Sequence, residues 1–171
     1  MSTMRRLWVP VLAALLVAAL IGPGVVSAAE PRATTGKIMI PAAAFIPTDD
    51  NHDYSNNGAS LWTISASGNF TAPLTFPVPV VNIRKIVLYA YDNTGAGPLC
   101  ARVYRASPPT AGQLHLGFVC TTDSPVSPQV VSTTAISPRR VNTAVTGPYL
   151  WVSIADGTTF LGVSVLYSYD A

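Results

Sequence analysis

From Lys37 onward, short apolar runs rich in Val, Ile, Leu, Thr and Tyr alternate with clusters of Gly, Pro, Asn, Asp and Ser. That rhythm predicts strands separated by turns. The runs fall at 37–46, 60–64, 69–76, 81–91, 100–105, 114–121, 129–135, 149–154 and 160–169. Two of them alternate with period two, which sends successive side chains to opposite faces. In the last run, Leu161, Val163, Val165, Tyr167 and Tyr169 share one face, with Gly162, Ser164 and Ser168 on the other. In the run before it, Leu150, Val152 and Ile154 oppose Tyr149, Trp151 and Ser153. Asp156-Gly157 between them is a hairpin turn signal and predicts that these two strands pair. Ile86-Val87-Leu88, apolar on both sides, reads as a central strand covered on both faces. The expectation is an all-β, antiparallel β-sandwich, jelly-roll-like, of about nine strands.

The chain before Lys37 is of a different kind. Arg5 and Arg6 precede an unbroken apolar run from Leu7 to Ile21, then Gly22-Pro23-Gly24, then Val26-Ser27-Ala28-Ala29. A basic start, an apolar stretch too short to span a bilayer, and small residues at a cleavage site are the order of a secretory signal. We read residues 1–28 as signal peptide, 29–36 as a flexible lead-in, and 37–171 as one β-sandwich domain. The protein is then secreted and extracellular, or periplasmic if the source has an outer membrane. No membrane span remains once the signal is gone.

Export also changes the charge. The formal +2 is 10 basic minus 8 acidic residues; losing Arg5 and Arg6 leaves 8 against 8. A neutral chain of about 140 residues can bury a core but lacks the clustered basic face that nucleic acid requires.

Two cysteines serve an exported fold as a disulfide. If 106–113 is a hairpin loop, facing positions sum to 220, and Cys100 with Cys120 satisfies that rule. A free nucleophile or a metal thiolate is the alternative, although two ligands make a poor zinc site.

Three segments resemble a group of bacterial exported β-sandwich proteins of unassigned function: Ile40-Pro41-Ala42-Ala43-Ala44-Phe45-Ile46-Pro47, Ile86-Val87-Leu88-Tyr89-Ala90-Tyr91-Asp92-Asn93, and Leu161-Gly162-Val163-Ser164-Val165-Leu166-Tyr167-Ser168-Tyr169. The resemblance implies the architecture and carries no functional residue.

Candidate chemistry is sparse. Asp49, Asn51, Asp53 and Ser55 fall at alternate positions, like the first oxygen ligands of a calcium loop. Tyr54 stands where such a loop needs glycine and Ser60 where it needs glutamate, so the EF-hand pattern fails. The plainer alternative is a loop whose Asp and Asn side chains cap backbone amides. No cofactor is expected otherwise. No Gly-x-Ser-x-Gly turn and no His-Glu-x-x-His is present. His52 beside Asp50 and Asp53 is the one cluster able to do acid–base work, which leaves a small secreted hydrolase as an alternative. His115, between Leu114 and Leu116, is expected to point outward. Trp62, Trp151, Tyr54, Tyr89, Tyr91, Tyr149, Tyr167 and Tyr169 are candidates for sugar stacking, because each ring has a flat apolar face and most have a polar tip. Tyr149 and Trp151 share one face and are the named ligand-binding candidates. The function expected is a non-catalytic binding or structural module with an extracellular glycan or surface polymer as partner. A self-assembling homo-oligomeric subunit is the rival, since lysine, the usual edge-strand blocker, occurs only at Lys37 and Lys85.

Overall fold

The computed structural model describes residues 33–51, 53–92, 95–122 and 128–170. The signal read in residues 1–28 lies outside them. The strands are β1 (Ala33–Pro41), β2 (Ile46–Pro47), β3 (Tyr54–Asn56), β4 (Leu61–Thr63), β5 (Gly68–Pro73), β6 (Val80–Tyr91), β7 (Cys100–Ser107), β8 (Gly112–Cys120), β9 (Gln129–Thr133), β10 (Arg140–Asn142), β11 (Gly147–Ile154) and β12 (Thr159–Asp170). They form two antiparallel sheets. Sheet A runs β10-β6-β12-β4-β3, with β9 also on β6 and β1 also on β12, and sheet B runs β2-β5-β11-β7-β8. With β1, β2, β3 and β10 set aside, β4-β12-β6-β9 faces β5-β11-β7-β8, the strand order of a jelly roll. Among the described residues, no helix is long and apolar enough to cross a membrane.

Twelve strands replace the expected nine, and the extra three are short. Residues 37–46 split because Ala42–Ala44 form a 3-10 turn, closed by Phe45 N–H donating to Ala42 O at 3.1 Å. The turn carries the chain from sheet A, where β1 ends, to sheet B, where β2 begins. Strands β3 and β10 lie inside segments that read as loops, and only their neighbours' ladders define them. At the other end of β1, residues 33–36 were expected to be a flexible lead-in. They are strand, paired with Asp170 through Tyr167, because the long β12 offers them a free ladder.

The hairpin expected at Asp156-Gly157 does not exist. Strand β11 pairs with β5 and β7, and β12 with β1, β4 and β6. The connection therefore crosses between layers. Thr158 N–H donates to Ala155 O at 3.1 Å, closing a turn in which Gly157 (φ 74°) has positive φ and Asp156 does not. A two-residue hairpin of the Asp-Gly kind needs positive φ at both residues; this turn resembles type II.

The core lies between the sheets. Phe45, Leu61, Phe70, Ile83, Ile86, Leu88, Leu150, Ile154 and Phe160 are among its fully buried side chains. Val87 is nearly as buried, as a central strand requires. Two bulges adjust which residues reach the core. The ladder between β12 and β6 skips Leu161, so Phe160 and Val163 face inward and Leu161 turns aside from the face it was expected to share. It also skips Arg84, so Ile83 and Ile86 are both buried.

Gly162 sits at the first bulge with φ 152°, and a Cβ there would lie 2.9 Å from Ile40 O on β1. Gly162→Ala should lower stability by about 2 kcal/mol through strain and contact with backbone that cannot move aside. Urea unfolding measures it. Gly147→Ala, where a Cβ meets nothing within 4 Å, is the control and should shift stability by less than about 0.5 kcal/mol.

Cys100 and Cys120 form a disulfide with Cα atoms 4.1 Å apart, in register across β7 and β8. The sum of 220 holds from Cys100↔Cys120 to Val103↔Gly117; a bulge at Leu116 then shifts it to 219. Beside the disulfide, polar groups tie the two layers. Thr121 Oγ1 donates to buried Asp92 and accepts from Leu99 N–H at 2.9 Å. Gln129 Nε2 donates to Thr122 O at 2.8 Å and Asp92 O at 3.4 Å.

Candidate functional site

Alternation along β11 buries Pro148, Leu150, Val152 and Ile154 and leaves Tyr149, Trp151 and Ser153 half-buried on the outer face of sheet B. Neighbouring strands keep step with it, and the registers line up rows of side chains across that face. One row reads Pro73–Tyr149–Tyr104–His115, the next Thr71–Trp151–Arg102–Phe118, and the third Asn69–Ser153–Cys100–Cys120. Same-face rows lie about 7 Å apart along the strands, and neighbours within a row about 5 Å apart.

The rings in this grid touch. Tyr104 and Tyr149 stack at 5.5 Å with 16° between planes; Tyr104 also meets Trp151 at 6.1 Å and His115 at 5.2 Å. His115 meets Phe118 at 5.9 Å, and Phe118 is 54% exposed. Their polar tips are anchored. Trp151 Nε1 donates to Asn69 Oδ1 at 3.1 Å, Ser153 Oγ donates to the same oxygen at 2.6 Å, and Tyr149 OH donates to Gln113 Oε1 at 2.5 Å. Side chains braced in this way lose little further freedom when a ligand arrives. The face thus joins apolar ring surface to fixed amide, hydroxyl, imidazole and guanidinium groups, the mixture that grips a ligand with apolar faces and a polar rim.

Burial, and then repulsion from Tyr104, push the Tyr149 phenol above its ordinary value of 10.0. The folded state therefore holds this proton more tightly than the unfolded chain. Its contribution to stability is intact below pH 10 and is lost as pH rises beyond. Stability should stay flat with respect to this group from neutral pH to about 9 and fall above about 10. Tyr149→Phe should reduce the fall, as alkaline melts followed by circular dichroism would show.

Of the sequence candidates, Tyr149 and Trp151 come together on this face. His115 points outward as expected. Tyr104, Arg102, Phe118, Asn69 and Gln113 were not anticipated. Alternation with Ala101 and Val103 already put Arg102 and Tyr104 on one face, but their neighbours depend on sheet order. The rule of 220 places Leu116 opposite Tyr104, and the bulge brings His115 there instead.

The polar run 49–58 lies elsewhere, after β2 and around β3. Asp49 Oδ1 accepts from Asn51 N–H at 3.0 Å, Asp53 is exposed with its carbonyl accepting from Ile64 N–H, and Ser55 sits in β3 opposite Trp62. Asn57 Oδ1 accepts from Ala59 and Ser60 N–H, capping the turn between β3 and β4. Among the described residues, no group of three or more His, Cys, Asp or Glu side chains converges as metal ligands would. His52 lies outside the described residues.

No protein-family model and no curated protein matches the chain. Solved structures of similar shape include the C-terminal CBM6 of LamC, a marine laminarinase from Zobellia galactanivorans, at 16% identity and TM-score 0.46, covering 76% of this chain and 98% of that one. A family 29 carbohydrate-binding module complexed with cellulohexaose has 9% identity and TM-score 0.43, covering 80% and 92%. Infectious bursal disease virus, Gx strain, has 11% identity and TM-score 0.38, covering 81% and 32%. These are likenesses of β-sandwich shape.

Proposed function

We propose that the protein is an exported, non-catalytic glycan-binding module whose ligand lies along the outer face of sheet B, over Tyr104, Tyr149 and Trp151. The observation that carries this reading is the cross-strand grid, in which Tyr104 of β7 touches both Tyr149 and Trp151 of β11 while all three remain half-buried. Pyranose rings present apolar C–H faces edged by hydroxyls, so such a grid meets both halves of a sugar. Asn69, Gln113 and Ser153 supply hydrogen-bonding groups at its margins. The Cys100–Cys120 bond supports an oxidising destination, in agreement with the N-terminal signal read from the sequence.

Affinity electrophoresis of the folded protein through gels containing xylan, mixed-linkage β-glucan or soluble chitin, with pull-down on insoluble cellulose, tests the proposal. Retardation or capture by at least one neutral polymer is expected. A protein that melts cooperatively yet binds none of them contradicts it.

A further inference from the structure

Cations gather at one end of sheet A, on the side of the molecule away from the aromatic grid. Strand β6 is bulged at Arg84, with Lys85 facing Leu166 and Ile83 facing Tyr167. Ile83 and Ile86 are both fully buried, so the two residues between them turn away from the core. In the same row, Leu166 is flanked by Lys37 from β1 and Lys85 from β6, which places these two about 10 Å apart, two strand spacings. Arg139 and Arg140 follow on the next stretch of β6, Arg139 O accepting from Ile83 N–H and Arg140 pairing with Asn82. Residues 33–170 contain seven Lys and Arg, and these are five of them.

The acids are placed otherwise. Asp49, Asp50 and Asp53 follow β2, Asp92 follows β6, and Asp156 lies between β11 and β12. All five sit toward the end where β6 finishes and β12 starts. Asp170 alone among the described acids shares the basic end, on the wall of a cavity of about 250 Å³ with Arg140 and Asn82. It is four residues along β12 from Leu166, roughly 13 Å.

A larger cavity of about 450 Å³ opens among Thr35, Gly36, Lys37, Arg84, Leu166 and Tyr167. At Gly36 the Tyr167 ring lies directly over the β1 backbone, where a Cβ would come within 2.4 Å of it. Two exposed cations and a threonine hydroxyl therefore border a concavity that includes no carboxylate in its lining. Held together, like charges repel unless an anion joins them.

We propose that this cavity is an oxyanion-binding site, taking a sulfate, phosphate or carboxylate group through Lys37 and Arg84. The guanidinium offers a planar fork for a bidentate contact and the ammonium a point charge. The volume accommodates the group together with part of the molecule that carries it.

Isothermal titration of the full chain with inorganic sulfate, inorganic phosphate, a heparin octasaccharide and an oligogalacturonate tests the site and separates its ligand sources. At least one should bind, more weakly as salt rises. The Lys37→Gln/Arg84→Gln variant should weaken that binding about tenfold or more, and Arg84→Lys should restore part of it. Both side chains are exposed, so the variant keeps the parent melting temperature within a few degrees. Binding of none of the four, or equal affinity in the double variant, would overturn the proposal. Because this site and the aromatic grid lie on different sheets, neutral-polymer binding through Tyr149 and Trp151 stands or falls separately.

Discussion

Alanine at Trp151 should weaken glycan binding about 30-fold, and alanine at both Tyr149 and Trp151 more than 100-fold. A central aromatic contact carries about 2 kcal/mol or more of an interface, and these two rings occupy adjacent rows on the middle strand of sheet B. Their losses do not simply add, since Tyr104 braces both rings and loses its stack with Tyr149 when that ring is cut away. Tyr149→Ala also removes the donor to Gln113, and Trp151→Ala one of the two donors to Asn69. Both rings point away from the core, so the fold survives their loss. Trp62→Phe, on β4 of the other sheet, should leave affinity unchanged. Titration calorimetry on whichever polymer retards the parent protein gives the ratios; variants that bind as well as the parent would remove the grid from the binding site.

Replacing both cysteines with alanine should destabilise the domain by about 3 kcal/mol, or about 10 °C in melting temperature for a domain of this size. The bond closes a loop with a sequence separation of 20 that comprises β7, the turn at Pro108–Thr110 and β8. Cross-linking that loop restricts the unfolded chain, and the cost of losing it follows from loop length. The cysteines share the outer face with Ser153 and Asn69, so alanine there opens no cavity among the core side chains. Differential scanning calorimetry of the parent, the reduced parent and the double variant should show the last two melting together. A shift under about 2 °C would mean that the β7–β8 ladder needs no staple.

How much of this was legible before the structure depends on which residues are considered. Period-two alternation placed Leu150, Val152 and Ile154 in the core and Tyr149 and Trp151 outside, because alternation is a property of one strand. The cysteine register was legible because a hairpin is local. Leu161 was misplaced, and the register beyond Val103 was misread, because a bulge inserts a residue that period-two alternation does not anticipate, even where a glycine (Gly162, Gly117) stands beside it. The pairing expected of β11 and β12 failed for a different reason. Asp156-Gly157 signals a turn, but whether a turn joins neighbours in one sheet or crosses to the other depends on where the apolar faces of both strands must go. Tyr104 and His115 entered the candidate site only once β7 was seen between β11 and β8, a fact of sheet order that no single segment encodes. Strands β2, β3 and β10 are two or three residues long, too short for any periodicity to show.

The most direct test uses the tryptophans themselves. Of three in the chain, Trp62 lies on β4 of sheet A, Trp151 on the outer face of sheet B, and Trp8 in the N-terminal segment. Labelling with 5-fluorotryptophan gives each its own fluorine resonance, assigned by single Trp→Phe variants. Titration with a bound oligosaccharide should move or broaden the Trp151 signal while Trp62 holds still. A ligand that moves Trp62 and leaves Trp151 unchanged would put the sugar on the wrong side of the sandwich.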